Sequence, residues 1–125
     1  INGKSGAKKW EFSTGGRLLY SATIDGDGTV YIASRDKKLY ALDGDNGRKK
    51  WDVEIGAMSS SSAIGIDGTI YIGTWDGKLL AINGTTGTKL WEFKAGALVS
   101  SPAIGKDATL YFGSGDGNVY ALKIK

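Results

Sequence analysis

The chain has 125 residues, of which 41% are hydrophobic and 23% charged, with a formal net charge of +3; that is one globular domain's worth of chain with a mildly basic surface. It contains no cysteine and no histidine, which excludes disulfides, thiolate metal sites, Ser-His-Asp and Cys-His catalysis and most zinc sites. The lysines are scattered in ones and twos, so they read as a solvated surface rather than a nucleic-acid footprint, and no apolar run approaches the ~18 residues of a membrane-spanning helix.

In chain order, the first residue is Ile1 rather than Met, as in a processed, excised or engineered chain, and no charged-then-apolar signal segment follows. "NGKSGAKKWEF" from Asn2 sets a glycine turn at Gly6 ahead of Trp10, and Lys8–Ser13 is predicted to be a strand. "GGRLLY" at 15–20 reads as a connection. "DGDGT" at 25–29 begins like a calcium loop, but no glutamate follows at the loop's twelfth position and the equivalent stretches are "IDGT" and "KDAT"; it is predicted to be a turn. "DGDNGRKKWDV" from Asp43 repeats the opening phrase, with Gly47 ahead of Trp51. Its fifth position is glycine where a calcium loop needs a ligand, so it too reads as a hairpin turn.

The second copy gives the clearest strands. "SSSAIGI" at 60–66 is a run of small residues, "GTIYIGT" at 68–74 and "GKLLAIN" at 77–83 alternate with period two, and "WDG" joins those two as a hairpin. "NGTTGTKLWEF" from Asn83 is the third statement of the phrase, with Gly87 ahead of Trp91, and "KLWEFKA" at 89–95 is its strand. The last copy closes on a strand over Val119–Ile124. No stretch carries helical spacing.

Trp10, Trp51 and Trp91 stand 41 and 40 residues apart, Tyr31, Tyr71 and Tyr111 stand 40 and 40 apart, and segments 43–82 and 83–122 share 18 of 40 residues without a gap. The chain is therefore three copies of one unit, over about 1–42, 43–82 and 83–122 of a single domain. About four short antiparallel strands per ~40 residues is the signature of a β-propeller blade. Small residues suit the inner strands, which crowd around the axis; a tryptophan suits the outer strand, where its ring is expected to wedge between neighbouring sheets.

These residues carry a resemblance. "ALDGDNGRKKW" (41–51) and "AINGTTGTKLW" (81–91) resemble the tryptophan-docking motif of the pyrroloquinoline quinone (PQQ) repeat family, with Asn46 in place of Thr in one and Asn83 in place of Asp in the other. "SSPAIGKDATLYFGSGDGNVYAL" (100–122) resembles the rest of that repeat. The resemblance implies an all-β propeller of W-shaped, four-stranded blades, with Trp10, Trp51, Trp91, Gly6, Gly47 and Gly87 as the docking motif. The family includes quinoprotein alcohol and glucose dehydrogenases, which hold PQQ and a calcium ion. It also includes cofactor-free docking platforms, among them the lipoprotein of the outer-membrane barrel-assembly machine and sensor domains of bacterial Ser/Thr kinases. A periplasmic or cell-surface setting follows from the same resemblance.

Three blades fall short of the ring of about seven or eight that the resemblance implies. The chain is expected to be a propeller fragment or a self-associating unit in which each copy lends its first strand to the next; two copies would make a six-bladed dimer. The functional expectation is a non-enzymatic binding scaffold without cofactor or metal, the alternatives being a piece of a quinoprotein dehydrogenase or an engineered repeat protein. Trp75 stands where the other copies have Arg35 and Gly115, so repeat-wide packing does not explain it. With Arg17, Tyr20, Arg35, Met58 and Leu98 it is predicted to form a partly apolar, basic-rimmed patch for a protein partner. Asp36, Asp76 and Asp116 recur in every copy and read as turn formers.

Overall fold

The computed structural model describes residues 6–17, 22–57, 60–97 and 99–124. Among them the regular elements are eleven strands and no helix: β1 (Thr23–Ile24), β2 (Thr29–Ala33), β3 (Lys38–Asp43), β4 (Lys49–Glu54), β5 (Ala63–Ile64), β6 (Thr69–Gly73), β7 (Lys78–Asn83), β8 (Lys89–Lys94), β9 (Ala103–Ile104), β10 (Thr109–Gly113) and β11 (Val119–Lys123). They form three antiparallel sheets ordered β1-β2-β3-β4, β5-β6-β7-β8 and β9-β10-β11. Each sheet runs in chain order, as propeller blades do, with the outer strands β4 and β8 coming from the start of the following sequence copy; we call the sheets blades one, two and three. The predicted all-β blade architecture is the one the chain adopts.

Two strand expectations need correction. Lys8–Ser13 carries no strand pairing. A strand persists only with an edge to pair with, and this segment instead lies over blade one, where Trp10 reaches the Gly44 carbonyl and Phe12 meets Tyr40. The inner run at 60–66 is also shorter than predicted, since only Ala63–Ile64 pairs. There the serines take over the ladder: Ser60 Oγ accepts from the Gly73 amide at 2.9 Å, and Ser100 Oγ accepts from the Gly113 amide at 2.9 Å. A hydroxyl satisfies the amide that a backbone carbonyl would otherwise have received.

Period-two alternation lets the central blade bury both faces. Ile70, Ile72, Leu80 and Ile82 pack toward Tyr31, Ala33, Leu39 and Ala41 of blade one. Their neighbours Tyr71, Leu79 and Ala81 pack toward Val99, Leu110 and Phe112 of blade three. Leu79, Ile70, Ile72 and Ile82 are fully buried. In blade three the far face is open: Val119 is 79% exposed and Tyr111 42%.

The outer hairpins explain the repeated phrase. Asp43 Oδ1 accepts from the Asp45 amide at 2.8 Å, and Asn83 Oδ1 accepts from the Thr85 amide at 2.9 Å. Either residue offers the one side-chain oxygen that the turn needs, so Asn83 replaces Asp without loss. Gly47 and Gly87 close these turns at φ 74° and 79°, a left-handed backbone that disfavours any side chain.

Candidate functional site

Two sets of contacts lie at opposite ends of the strands. On one side the β3–β4 and β7–β8 hairpins receive indoles. Trp10 Nε1 donates to the Gly44 carbonyl at 2.9 Å, and Trp51 Nε1 donates to the Gly84 carbonyl at 3.1 Å. A Cβ on Gly47 would stand 2.5 Å from the Trp10 ring, and one on Gly87 would stand 2.6 Å from the Trp51 ring. Each of these tryptophans therefore lies on the hairpin of the following blade. Tyr31 joins Trp51 at 5.8 Å between ring centres, and its hydroxyl also donates to Gly84, at 3.1 Å. Sequence reasoning missed Gly44 and Gly84 as acceptors; the recurring Asn-Gly or Asp-Gly at the head of each phrase was the available signal. Trp91 pairs with Tyr71 at 5.9 Å and is 38% exposed. No described atom lies within 4 Å of a Cβ placed on Gly6.

On the other side, the β2–β3, β6–β7 and β10–β11 turns meet the connections that enter each blade. The Arg35 amide donates to the Arg17 carbonyl at 2.8 Å, and the Trp75 amide donates to the Ala57 carbonyl at 3.0 Å. Arg17 and Arg35 are thus held side by side and exposed, and Trp75 stands at its turn 58% exposed. No hydrogen bond, ion pair or ring contact joins Trp75 to the two arginines among the described residues. Tyr20, Met58 and Leu98 lie outside the described residues.

The aspartates of these turns act as clamps. Asp36 accepts from the Lys38 amide at 3.0 Å, from the Gly15 amide at 3.0 Å and from the Tyr40 hydroxyl. Asp116 repeats the set with Asn118 at 2.9 Å, Gly96 at 3.2 Å and Tyr120 at 2.5 Å. Leu80 replaces the tyrosine in blade two, and there the Thr74 hydroxyl donates to Asp76 instead.

Burial works to raise the Asp36 carboxyl, but the hydrogen bonds from Tyr40, Lys38 and Gly15 outweigh it and hold the group below the usual carboxylate range. At Asp116 the Tyr120 hydroxyl and the Asn118 amide do the same. The Tyr31 and Tyr40 phenols are pushed up, first by burial and then by Asp25 and Asp36 respectively. A carboxyl lowered on folding stabilises above its unfolded value of ~3.9, and that stability is lost as pH falls through the folded value; a raised phenol stabilises below ~10 and loses this as pH rises. The urea midpoint is therefore expected to hold level near neutrality and to fall on both sides, with Asp36→Asn weakening the acid limb. A midpoint that rises on acidification would contradict the clamps.

The calcium-like loop fails on its donors. Asp25 Oδ1 accepts from the Asp27 amide at 3.0 Å and the Thr29 amide at 3.2 Å, its Oδ2 accepts from Tyr31 at 2.9 Å, and Asp27 Oδ1 accepts from the Thr29 amide at 2.9 Å. These carboxylates face their own turn, and no group of three or more acidic residues suited to a metal exists among the described residues. The side-chain oxygens of this turn are thus taken up by its own amides and by Tyr31. Near the axis, Thr23 donates to the Ser62 carbonyl at 3.1 Å and the Ser61 amide donates to Ser101 at 3.2 Å, so hydroxyls tie neighbouring inner strands together. Among the described residues no helix is long and apolar enough to cross a membrane.

The comparisons agree with this architecture. A family model described as "Outer membrane protein assembly factor BamB" matches residues 1–125. The crystal structure of BamB from Moraxella catarrhalis is similar at 26% identity and a TM-score of 0.79, over 92% of this chain and 36% of that one. A quinohemoprotein alcohol dehydrogenase, ADHIIG from Pseudomonas putida HK5, is similar at 21% identity and a TM-score of 0.78, over 94% of this chain and 21% of that one. The computationally designed Ika4 protein is similar at 19% identity and a TM-score of 0.71, over 83% of this chain and 64% of that one. The last two likenesses speak to the fold alone. This chain spans about a third of the length of the BamB chain that it resembles. No curated protein matches it.

Proposed function

Because the chain belongs to the PQQ-repeat family whose model is described as an outer membrane protein assembly factor, we propose that it is a non-enzymatic propeller module that docks proteins. It is one domain of three repeats, 1–42, 43–82 and 83–122, with a periplasmic or cell-surface setting. Its open blades associate with further copies, most simply as a six-bladed dimer, three blades from each. The docking face is the side where connections meet the β2–β3 and β6–β7 turns, with Trp75, Arg17 and Arg35 on it; Tyr20, Met58 and Leu98, also expected there from the sequence, lie outside the described residues.

The observation that carries this reading is Trp75, an indole 58% exposed on a turn whose backbone is pinned to Ala57. A turn fixed at its backbone presents the indole's contact area at one place on this face. The carboxylates of the neighbouring turns are engaged as clamps, which supports a scaffold over proton-transfer chemistry. The family description points to partners among outer membrane assembly proteins.

Calorimetric titration with those assembly proteins is the test. Trp75→Ala is expected to weaken binding at least tenfold while circular dichroism stays unchanged; equal affinity for the variant would sink the proposal. In a parallel arm, PQQ and calcium added to the chain are expected to leave the quinone absorbance unmoved, and a saturable shift would defeat the non-enzymatic reading.

A further inference from the structure

The β2–β3 turn of blade one departs from its equivalents at one backbone position. Lys37 has φ 71°, where Gly77 of blade two and Gly117 of blade three both have φ 89°. That left-handed conformation is open to glycine and costs stability in a residue that carries a β-carbon. The turn itself makes no demand for the lysine, because it closes in the same way in all three blades. The Lys37, Gly77 and Gly117 amides donate to the carbonyls of Ser34, Thr74 and Ser114 at 3.2, 3.3 and 3.0 Å. The amides of those three residues donate in turn to Lys38, Lys78 and Asn118 at 3.0, 2.9 and 3.0 Å. Strain kept where two sister turns avoid it with glycine points to a role outside folding.

Lys37 also completes a cluster. Arg35 stands two residues before it, and the Arg35 amide donates to the Arg17 carbonyl at 2.8 Å. Gly16 lets the connection come that close, since a Cβ there would stand 2.7 Å from the Asp36 amide nitrogen. All three cations are exposed. The carboxylate among them, Asp36, is turned to the Lys38 and Gly15 amides and the Tyr40 hydroxyl. The ion pairs of the described residues engage Lys8, Lys49, Lys78 and Lys89, and none reaches Arg17, Arg35 or Lys37. Where blade one has Arg35 and Lys37, blade two has Trp75 and Gly77, and blade three has Gly115 and Gly117. The uncompensated charge is therefore concentrated on one blade, with the exposed indole on the next.

We propose that Arg17, Arg35 and Lys37 form a site for a carboxylate-rich segment of a protein partner. This rests on the docking face proposed above and gives its partner a chemistry. A guanidinium fork takes a carboxylate at two points, and a lysine adds a compact charge beside it. The indole of the next turn favours a stretch of polypeptide over a free anion, because a chain can bring an apolar side chain to it along with its carboxylates. In the sequence Lys37 reads as one more solvated lysine; the backbone at φ 71° sets it apart.

Fluorescence anisotropy with a labelled octaglutamate peptide tests the site. Saturable binding is expected, weakening as salt rises because exposed charges are screened. Arg17→Ala with Arg35→Ala is expected to weaken it roughly tenfold with the circular dichroism spectrum retained. Lys37→Gly is expected to weaken it roughly threefold and at the same time to raise the urea midpoint, while Lys37→Arg keeps both near the wild-type values. A midpoint that falls in Lys37→Gly would show that the lysine serves the fold, and would overturn the proposal. Peptide binding indifferent to all of these substitutions would do the same, as would binding to phosphatidylglycerol vesicles without binding to the peptide. The result is separable from the docking reading. If Trp75→Ala weakens binding of the assembly proteins while octaglutamate ignores the cations, this site fails alone. If octaglutamate binds through the cations while Trp75→Ala leaves the assembly proteins bound as before, the docking reading fails alone.

Discussion

Trp51→Ala is expected to lower the unfolding free energy by ~3–5 kcal/mol, the range for removing a large aromatic side chain from a packed interface. The indole is wedged between Tyr31 of its own blade and the β7–β8 hairpin of the next, and it donates to Gly84. Its loss leaves a gap at the seam between blades one and two and removes one of the two donors to that carbonyl. Trp91→Ala supplies the comparison, because it deletes the same side chain from the same strand position. In dilute chains it is expected to cost only ~1 kcal/mol, since the ring is 38% exposed and meets no carbonyl among the described residues. Urea unfolding of both variants checks this. Equal losses would mean that the tryptophans stabilise their own sheets and not the seam.

Gly87→Ala is expected to cost ~3 kcal/mol or more. A left-handed backbone costs any L side chain ~1–2 kcal/mol, and the new methyl would stand 2.6 Å from the Trp51 ring, adding an overpacking penalty of ~1–3 kcal/mol. Gly6→Ala separates the two terms. It has the same kind of backbone at φ 66° but open space among the described residues, so in dilute chains only the conformational part is expected. Thermal or urea unfolding of the pair gives the indole's share as a difference. If both variants lose the same amount, the close approach of ring and glycine does not occur in solution.

Much of the fold was legible because its repeat is spelled in large, rare residues. Tryptophan and tyrosine spaced by one blade, with alternating Ile70, Tyr71 and Ile72 between them, leave little room for any architecture other than stacked antiparallel sheets. The two-residue inner strands were not legible, because a serine in a small-residue run gives no sign that its hydroxyl will replace a ladder carbonyl, as Ser60 and Ser100 do. The unpaired state of Lys8–Ser13 was hidden for a different reason. Its sequence is that of an outer strand, and pairing depends on where a free edge lies in three dimensions. At the candidate site, the departure of Trp75 from its repeat equivalents was readable, as was its place on a turn. That Arg17 and Arg35 would be joined through the backbone was not, because the link runs through a carbonyl and an amide that any residue possesses.

The middle blade has a consequence for how such molecules change over generations. It meets the preceding sheet with one face and the following sheet with the other, through contacts of the same kind on each side. An in-frame duplication of its segment would therefore arrive with its own indole to offer and its own glycine hairpin to receive one. The length of the array could shift by whole units through inheritance alone, with no new type of contact having to evolve.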